Sequence, residues 1–389
     1  MDAALFAQML SDKSVIDLKK LSYKYPGVDL DEFIGLLRAN IYKPLPLLDF
    51  AGNGVVYMAG PASVRQSAVR LLAASRGGGN FGLRAMEDEI TATLTLENID
   101  FTRDSVRKIL RGYAPADESE NRVLGLKQGL DFIAQPANTI TEASVQALYE
   151  IAIGKYLPAG DRLMPGAPYR HDKVYIVGQE LEHVGLPHEK LPAYMGLLVD
   201  FINGESQIDD LLKATAIHFY IAYLHPWFDG NGRLARLLHI WYLRRRGWPS
   251  AMFIPFSSFI ERSRQAYYNA FTLCEKNAAR GGVLDVTPFL VYFIANVYNK
   301  LEDTPPRPDT LTSFGQLLAA GKITEKEKEL WGFVLSAYGG GEFSTKQLER
   351  DFGRAAYATI RGFARKFEEF GLLISQKYGN RVKYAVKAR

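Results

Sequence analysis

The stretch that decides the fold is His225-Pro226-Trp227-Phe228-Asp229-Gly230-Asn231-Gly232-Arg233-Leu234-Ala235-Arg236. Its Gly-Asn-Gly run predicts a tight turn at the start of a helix. Main-chain N–H groups lack partners at such a helix start, and the helix dipole favours an anion there. Arg233 and Arg236 lie three residues apart, so both project from one side of that helix and suit phosphate oxygens. The stretch therefore predicts an anion site between two helices.

Two further side chains of this stretch could act as a metal ligand and a proton acceptor at the anion site. Asp229 is placed to hold Mg²⁺, which prefers few carboxylates together with substrate phosphates. His225 can take a proton near neutral pH, and Pro226 places it at the C-terminal edge of the first helix. The pattern indicates a nucleotide-phosphate site with a general base at its rim. An ordinary helix-turn-helix would explain the turn, but neither the His-Pro pair nor the two arginines.

This stretch resembles the Fic family signature, His-Pro-Phe-x-Asp/Glu-Gly-Asn-Gly-Arg-x-x-Arg, and only Trp227 departs from it. Since Phe is normally a core anchor at this position, the exchange should alter packing rather than chemistry. The resemblance implies a mainly α fold and an enzyme that transfers AMP from ATP to a hydroxyl of a target protein. His225 would be the base and Asp229 the Mg²⁺ ligand. The residues implied in ATP binding are Gly230, Asn231, Gly232, Arg233, Arg236 and Tyr267.

The resemblance extends to segments outside the signature. Arg170 and the extended run 173–178 resemble a flap hairpin that holds the protein substrate by main-chain pairing; the alternative is a surface hairpin without a role. Tyr267 and Tyr268 resemble a pair near the adenine pocket, although aromatic residues at helical spacing are often core. His218 matches a family position, but a satisfied histidine on a packed helix is the simpler interpretation.

An upstream segment resembles the family's inhibitory pattern, Ser/Thr-x-x-x-Glu-Gly/Asn. Thr93, Glu97 and Asn98 occupy its fixed positions. The resemblance implies that Glu97 forms a bidentate pair with Arg236, occupies the fork that a γ-phosphate needs and keeps the enzyme autoinhibited. The alternative is a solvated glutamate at a helix end.

The chain divides into three predicted regions. These are an N-terminal helical region with the inhibitory motif (1–125), a Fic catalytic core (126–303) and a winged-helix-like domain (310–389). Prolines and glycines are expected to break residues 1–85 into loops, and a Pro-rich linker is expected at 304–309. A strand or hairpin is predicted at 173–178, then loop to 188 and helix from 191. The C-terminal elements predicted are helices at 325–337, 344–348 and 355–370 and two strands within 372–386.

Composition and charge narrow the class of protein. A hydrophobic content of 47% and a charged content of 23% are typical of globular proteins, and no apolar run suggests a membrane span. The single cysteine and the lack of a signal-peptide plan predict a cytoplasmic protein. Residues 354–389 hold nine Lys or Arg and two Glu, a net charge of +7, which leaves −3 for the rest of a chain of net charge +4. This basic tail could contact DNA, another protein or a second copy in a homodimer.

Three other functions remain open at this level. The same residues could move another nucleotide or phosphate-containing group, or could remove AMP with the assistance of Glu97. From a different class, the chain could be a DNA-binding regulator that senses nucleotide. His225 and Asp229 argue against the regulator, since sensing alone requires neither a base nor a metal ligand.

Overall fold

A computed structural model describes residues 1–73, 83–177, 181–303, 314, 316–318, 320–338, 342–379 and 381–387. The fold is mainly α, as the sequence predicts. The α-helices up to residue 293 are α1 (Ala3–Leu10), α2 (Leu18–Lys24), α3 (Leu30–Asn40), α4 (Gln66–Ala73), α5 (Leu83–Leu96), α6 (Arg103–Leu110), α7 (Glu118–Ala134), α8 (Glu142–Ala152), α9 (Leu191–Asn203), α10 (Asp210–Leu224), α11 (Asn231–Arg245), α12 (Phe256–Arg262), α13 (Arg264–Gly281) and α14 (Thr287–Phe293). None of the described helices is long and apolar enough to cross a membrane.

The N-terminal region contains a β-hairpin where the sequence predicts loops. Strands β1 (Tyr42–Leu48) and β2 (Gly54–Met58) pair antiparallel, with an irregularity after Pro44. The expectation of loops was wrong because β1 is an edge strand, where the missing N–H of a proline leaves no central ladder bond unmade. The other edge of β2 is held by the loop before α14, since Val56 exchanges main-chain hydrogen bonds with Leu284 and Val286.

Helices α10 and α11 form the centre of the main hydrophobic core and meet at the signature stretch. Nearly every side chain of α10 is buried, as expected for a helix surrounded by other helices. The helix ends as predicted, with His225 as its C-cap in the left-handed conformation (φ 52°) and its N–H bonded to the Ile221 carbonyl. Trp227 is fully buried and stacks on Tyr149 at 4.6 Å, which confirms its predicted part as a core anchor.

The flap is a hairpin of two strands, β3 (Tyr175–Val177) and β4 (Leu181–Val184). The sequence predicted strand or hairpin only at 173–178, and the expectation of loop from there to 188 was wrong for β4. Residue 178 lies outside the described residues. Helix α9 begins at Leu191, as predicted.

The C-terminal region has a hydrophobic core of its own. Its elements are α15 (Glu325–Ala337), α16 (Thr345–Phe352), α17 (Tyr357–Glu369), β5 (Leu373–Tyr378) and β6 (Arg381–Val386). Three helices followed by an antiparallel hairpin match the predicted elements, although α16 continues to Phe352 rather than ending at Leu348. The predicted Pro-rich linker lies outside the described residues. The winged-helix assignment and the three domain boundaries stay predictions.

Candidate active site

The loop between α10 and α11 is shaped by two residues that the sequence assigned to phosphate binding. The buried Asn231 side chain accepts the Trp227 N–H at 3.0 Å and donates to the Trp227 carbonyl at 2.8 Å, so it fixes the loop. Gly230 has φ 87°, and a Cβ there would lie 2.5 Å from Ile153 Cγ2, so only glycine fits. No side chain caps α11, which leaves its first N–H groups facing the loop. The side chain of Asn231 is therefore structural, while its main chain belongs to the anion cradle.

Asp229 and Arg233 form an ion pair at the mouth of this cradle. Arg233 Nη2 lies 2.7 Å from Asp229 Oδ2, and Asp229 Oδ1 accepts the Gly230 N–H at 2.5 Å. The arginine is buried, and its Nε has no hydrogen-bond partner among the described residues. The aspartate side chain is 46% exposed. A buried guanidinium with an unmet donor beside an open helix start is a site that an anionic group would complete.

Magnesium fits this site only as an ion shared with a substrate. The described residues contain no cluster of three or more His, Cys, Asp or Glu that could hold a metal ion by itself. Asp229 offers one exposed carboxylate beside the anion cradle. One carboxylate together with substrate phosphates and water is a donor set that Mg²⁺ accepts.

His225 is held in the form that a base requires. Its Nδ1 lies 3.3 Å from the Ala222 carbonyl, which assigns the proton to Nδ1 and leaves the lone pair on Nε2. Burial, together with the nearby His183 and Arg170, lowers the pKa of His225 to about 4. The imidazole is therefore neutral at pH 7. Its pKa is lower than the near-neutral value that the sequence predicted.

The structure brings Arg236 together with the predicted inhibitory segment. Arg236 Nη2 lies 2.5 Å from Glu97 Oε1, and Arg236 Nε donates to Thr93 Oγ1 at 2.5 Å. The prediction of a bidentate pair with Glu97 was wrong, because the guanidinium donates one hydrogen bond to Thr93 and one to Glu97. A Cβ at Gly232 would lie 2.7 Å from Glu97 Oε1, so the carboxylate also covers the start of α11.

The turn that carries Glu97 is secured by a residue the sequence did not indicate. Asn98 has φ 53°, a conformation that asparagine tolerates better than most residues. Arg264 Nη2 donates to Asn98 Oδ1 and to the Leu96 carbonyl, both at 3.0 Å. The arginine lies more than 160 residues away in the chain, so no local pattern could have revealed it.

Arg170 holds the flap against the loop between α10 and α11. This buried guanidinium donates to the His225 carbonyl at 2.8 Å, to the Asp172 carbonyl at 2.6 Å and to the Leu186 carbonyl. A second tie, absent from the sequence predictions, is His183, which contacts the Tyr223 carbonyl at 2.7 Å and Glu275 at 2.5 Å. Both strands of the hairpin are thus fixed relative to His225.

Replacing Gly185 by alanine should loosen this junction. The new Cβ would lie 2.6 Å from Val174 Cγ1 and 2.9 Å from Arg170 Nη2, so the flap base must shift. We expect a loss of about 1–3 kcal/mol in the free energy of unfolding, measured by urea denaturation. Gly60→Ala is the control, since Gly60 lies in a turn outside the helices and nothing lies within 4 Å of its Cβ. Equal stability of both variants would show that the junction is not tightly packed.

Tyr267 and His218 lie in the core beneath Arg236. Tyr267 is 4% exposed, and its hydroxyl lies 2.9 Å from His218 Nε2. Both residues are packed in the core, but His218 Nδ1 has no hydrogen-bond partner among the described residues, so the histidine is only partly satisfied. The neighbouring Tyr268 is 38% exposed. A part for Tyr267 in ATP binding stays a prediction.

Known proteins resemble the part of the chain that carries this site. The sequence pattern of the Fic/DOC family matches residues 139–243. A protein adenylyltransferase Fic from Drosophila willistoni is 28% identical over 220 residues, which is 54% of this chain and 39% of that protein. The corresponding protein of Drosophila ananassae is 27% identical over 223 residues, covering 54% and 40%. The matches thus span about two fifths of the length of these relatives.

Solved structures resemble the chain more distantly. A Fic family protein from Desulfovibrio desulfuricans G20 is 18% identical, with a TM-score of 0.49 and coverage of 85% of this chain and 98% of that one. The signature loop, with its neutral histidine, ion pair and open helix start, lies within the segment that the family pattern matches. The chain therefore contains a Fic/DOC family domain, at residues 139–243.

Proposed function

We propose that this chain transfers AMP from ATP to a hydroxyl side chain of a target protein. The observation that carries the proposal is a neutral histidine base, His225, at the mouth of an uncapped helix start that two buried arginines flank. The curated relatives that match the chain are named protein adenylyltransferases, which supports the same reaction.

In the proposed reaction the hydroxyl oxygen attacks the α-phosphorus of ATP. The new oxygen–phosphorus bond forms as the bond to pyrophosphate breaks, and Nε2 of His225 takes the hydroxyl proton. The N–H groups at the start of α11, with Arg233 and Arg236, stabilise charge on the departing pyrophosphate. Asp229 would hold Mg²⁺, which when bound neutralises phosphate charge.

The flap would present the target hydroxyl to His225. Strand β3 pairs with β4 on one side, and no described strand pairs with its other edge. A target segment could therefore add to the hairpin by main-chain hydrogen bonds. The ties from Arg170 and His183 support this part, because they fix the flap relative to the loop that bears the base.

Autoinhibition by Glu97 belongs to the same proposal. The Glu97 carboxylate occupies the donor that Arg236 would offer to the terminal phosphate, and its negative charge repels that phosphate. ATP would have to displace Glu97 before Arg236 can bind it.

The proposed base predicts an unusual pH dependence. Because the pKa of His225 is lowered to about 4, transfer should stay nearly constant from about pH 8 to about pH 5.5. The free energy of unfolding should fall over the acid part of this range, since below 6.5 the unfolded chain binds a proton that the folded site does not. Initial rates across the pH range test this, and a decline with an apparent pKa near 6.5 would contradict it.

The reaction is tested with ATP labelled on either its α- or its γ-phosphate, in the presence of Mg²⁺ and candidate target proteins. Label on protein from the α position alone supports AMP transfer. Label from the γ position would show phosphate transfer instead. Label only from another nucleotide, or loss of AMP from a target modified beforehand, would favour the other reactions open to these residues.

A second candidate function is contact with duplex DNA through α17. What supports it is an exposed helix face with Arg361 and Arg365 and no acidic residue before its last turn. Gly362 lies on that face, and nothing lies within 4 Å of its Cβ position, so packing does not account for a glycine that costs helix stability. A glycine there would allow the helix backbone to approach a phosphate backbone closely.

Fluorescence anisotropy with a labelled DNA duplex of mixed sequence tests this contact. Arg361→Ala with Arg365→Ala should weaken binding and flatten its salt dependence. Gly362→Gln should weaken binding while stabilising the helix. Lys328→Ala on α15 is the control, since Lys328 pairs with Glu325. No binding by the unaltered chain at low salt would exclude the contact.

A further inference from the structure

Helix α5 and the turn that follows it carry three polar residues on one side, of which the inhibitory pattern includes two. Glu89, Thr93 and Glu97 follow each other at intervals of four, so they occupy successive turns. Thr93 and Glu97 contact Arg236 directly. Glu89 lies one turn further from Arg236, and the residue is only 3% exposed. A buried carboxylate requires partners, and these define its function.

Glu89 binds the start of a different helix. Its Oε2 accepts the Ser257 N–H at 2.9 Å, and its Oε1 accepts the Ser257 hydroxyl. Ser257 is the second residue of α12, which packs against α5. The N-cap residue of α12 is Pro255, whose side chain forms no capping hydrogen bond. The carboxylate therefore supplies the missing N-terminal cap of α12 and meets the positive end of its dipole.

The same serine connects Glu89 to Arg236. Since the Ser257 hydroxyl donates to Glu89, its oxygen is left to accept from Thr93, whose Oγ1 lies 3.4 Å away. Thr93 Oγ1 in turn accepts from Arg236 Nε at 2.5 Å. Each hydrogen bond runs in the same donor-to-acceptor direction, from Arg236 through Thr93 and Ser257 to Glu89. This chain of hydrogen bonds joins a buried cation to a buried anion.

The N–H and the hydroxyl of Ser257 both donate to Glu89, an arrangement that stabilises its ionised form. Burial raises the pKa of Glu89, while the Ser257 hydrogen bonds and the charge of Arg236 oppose that rise. Arg236 is itself buried, at 3% exposure, so it needs a compensating charge whenever Glu97 moves away. Glu89 is placed to provide that charge without occupying the guanidinium's phosphate-facing Nη2.

We propose that Glu89 is a positioning residue for Arg236, which it orients through Ser257 and Thr93 so that the guanidinium stays ready for a terminal phosphate after Glu97 leaves. The inference rests on the proposed function, since it assumes that Arg236 binds the terminal phosphate of ATP. The hydrogen bonds of Glu89 go to Ser257, so it acts on Arg236 indirectly.

The test compares Glu89→Gln with Glu87→Gln by calorimetric titration with ATP and with ADP, each in the presence of Mg²⁺. Glutamine keeps an acceptor for Ser257 but removes the charge. Glu87 is the matched control, because it lies on the same helix and pairs with Arg107 instead. Both variants are made in the wild-type chain and in Glu97→Gly. A thermal melt of each variant shows whether it is folded.

Glu89→Gln should weaken ATP binding about tenfold, the effect expected when a hydrogen bond to a charged group is lost. ADP binding should be nearly unchanged, since ADP lacks the γ-phosphate that Arg236 would bind. In an Arg236→Ala background the substitution should have no further effect. Equal losses for ATP and ADP would reveal a general structural role and overturn the inference, as would identical behaviour of Glu89→Gln and Glu87→Gln.

The design separates this inference from the proposed autoinhibition. If Glu97→Gly binds ATP no better than wild type, the proposal of autoinhibition is wrong. The effect of Glu89→Gln on the ratio of ATP to ADP affinity, measured in the wild-type chain, still tests the role of Glu89. If Glu97→Gly binds ATP better and Glu89→Gln leaves that ratio unchanged, the inference about Glu89 alone is wrong.

Discussion

His225→Ala should reduce AMP transfer by about 10²–10⁴-fold, the usual contribution of a general base. The neutral imidazole is the proposed acceptor of the hydroxyl proton, and alanine has nothing to replace it. The loop should survive the change, because Arg170 holds the main-chain carbonyl of residue 225, which every amino acid retains. The measurement is the initial rate of label transfer from ATP labelled on its α-phosphate.

A second substitution separates loss of the base from strain in the loop. Residue 225 has φ 52°, and asparagine adopts this conformation more readily than alanine. His225→Asn should therefore keep the fold and still lose transfer. His188→Ala, at a histidine outside the loop, should keep full activity. Near-normal rates in both variants of residue 225 would remove His225 as the base.

The centre of the site could be predicted from sequence because its chemistry lies in one short segment. Pro226 and Gly230 set the end of α10 and the start of α11 through local backbone restrictions, which a single sequence displays. The contact between Glu97 and Arg236 could be predicted only from the resemblance, since 139 residues separate them. Its geometry could not, because the position of Thr93 Oγ1 beside Arg236 Nε depends on how α5 packs.

The parts that sequence did not reveal depend on contacts between distant segments. Arg264 secures the Asn98 turn, His183 ties the flap to α10, and Glu89 caps α12 across 168 residues. Each is a charged or polar residue in an ordinary helical or extended pattern, so no local signal distinguishes it from a solvated residue. The β1–β2 hairpin was missed for a related reason, since prolines disfavour strands except at an edge and sequence does not show which strands are edges.

Glu97→Gly should raise transfer by about ten- to a hundredfold, which corresponds to removing one competing hydrogen bond to a charged group. In this structure Arg236 Nη2 pairs with Glu97. Because the Glu97 side chain is only 21% exposed, solvent weakens this ion pair little. Without it, the terminal phosphate of ATP meets an unoccupied donor at the start of α11. The label assay should show the increase together with tighter ATP binding.

Glu97→Gln distinguishes the charge of Glu97 from its bulk. Glutamine fills the same space and can still accept from Arg236, but it does not repel phosphate. If charge repulsion dominates, Glu97→Gln should approach the activity of Glu97→Gly; if occupancy of the guanidinium dominates, it should stay close to wild type. Asp104→Asn, at an exposed carboxylate on α6, is the control and should change nothing. Wild-type rates in both Glu97 variants would rule out autoinhibition by Glu97.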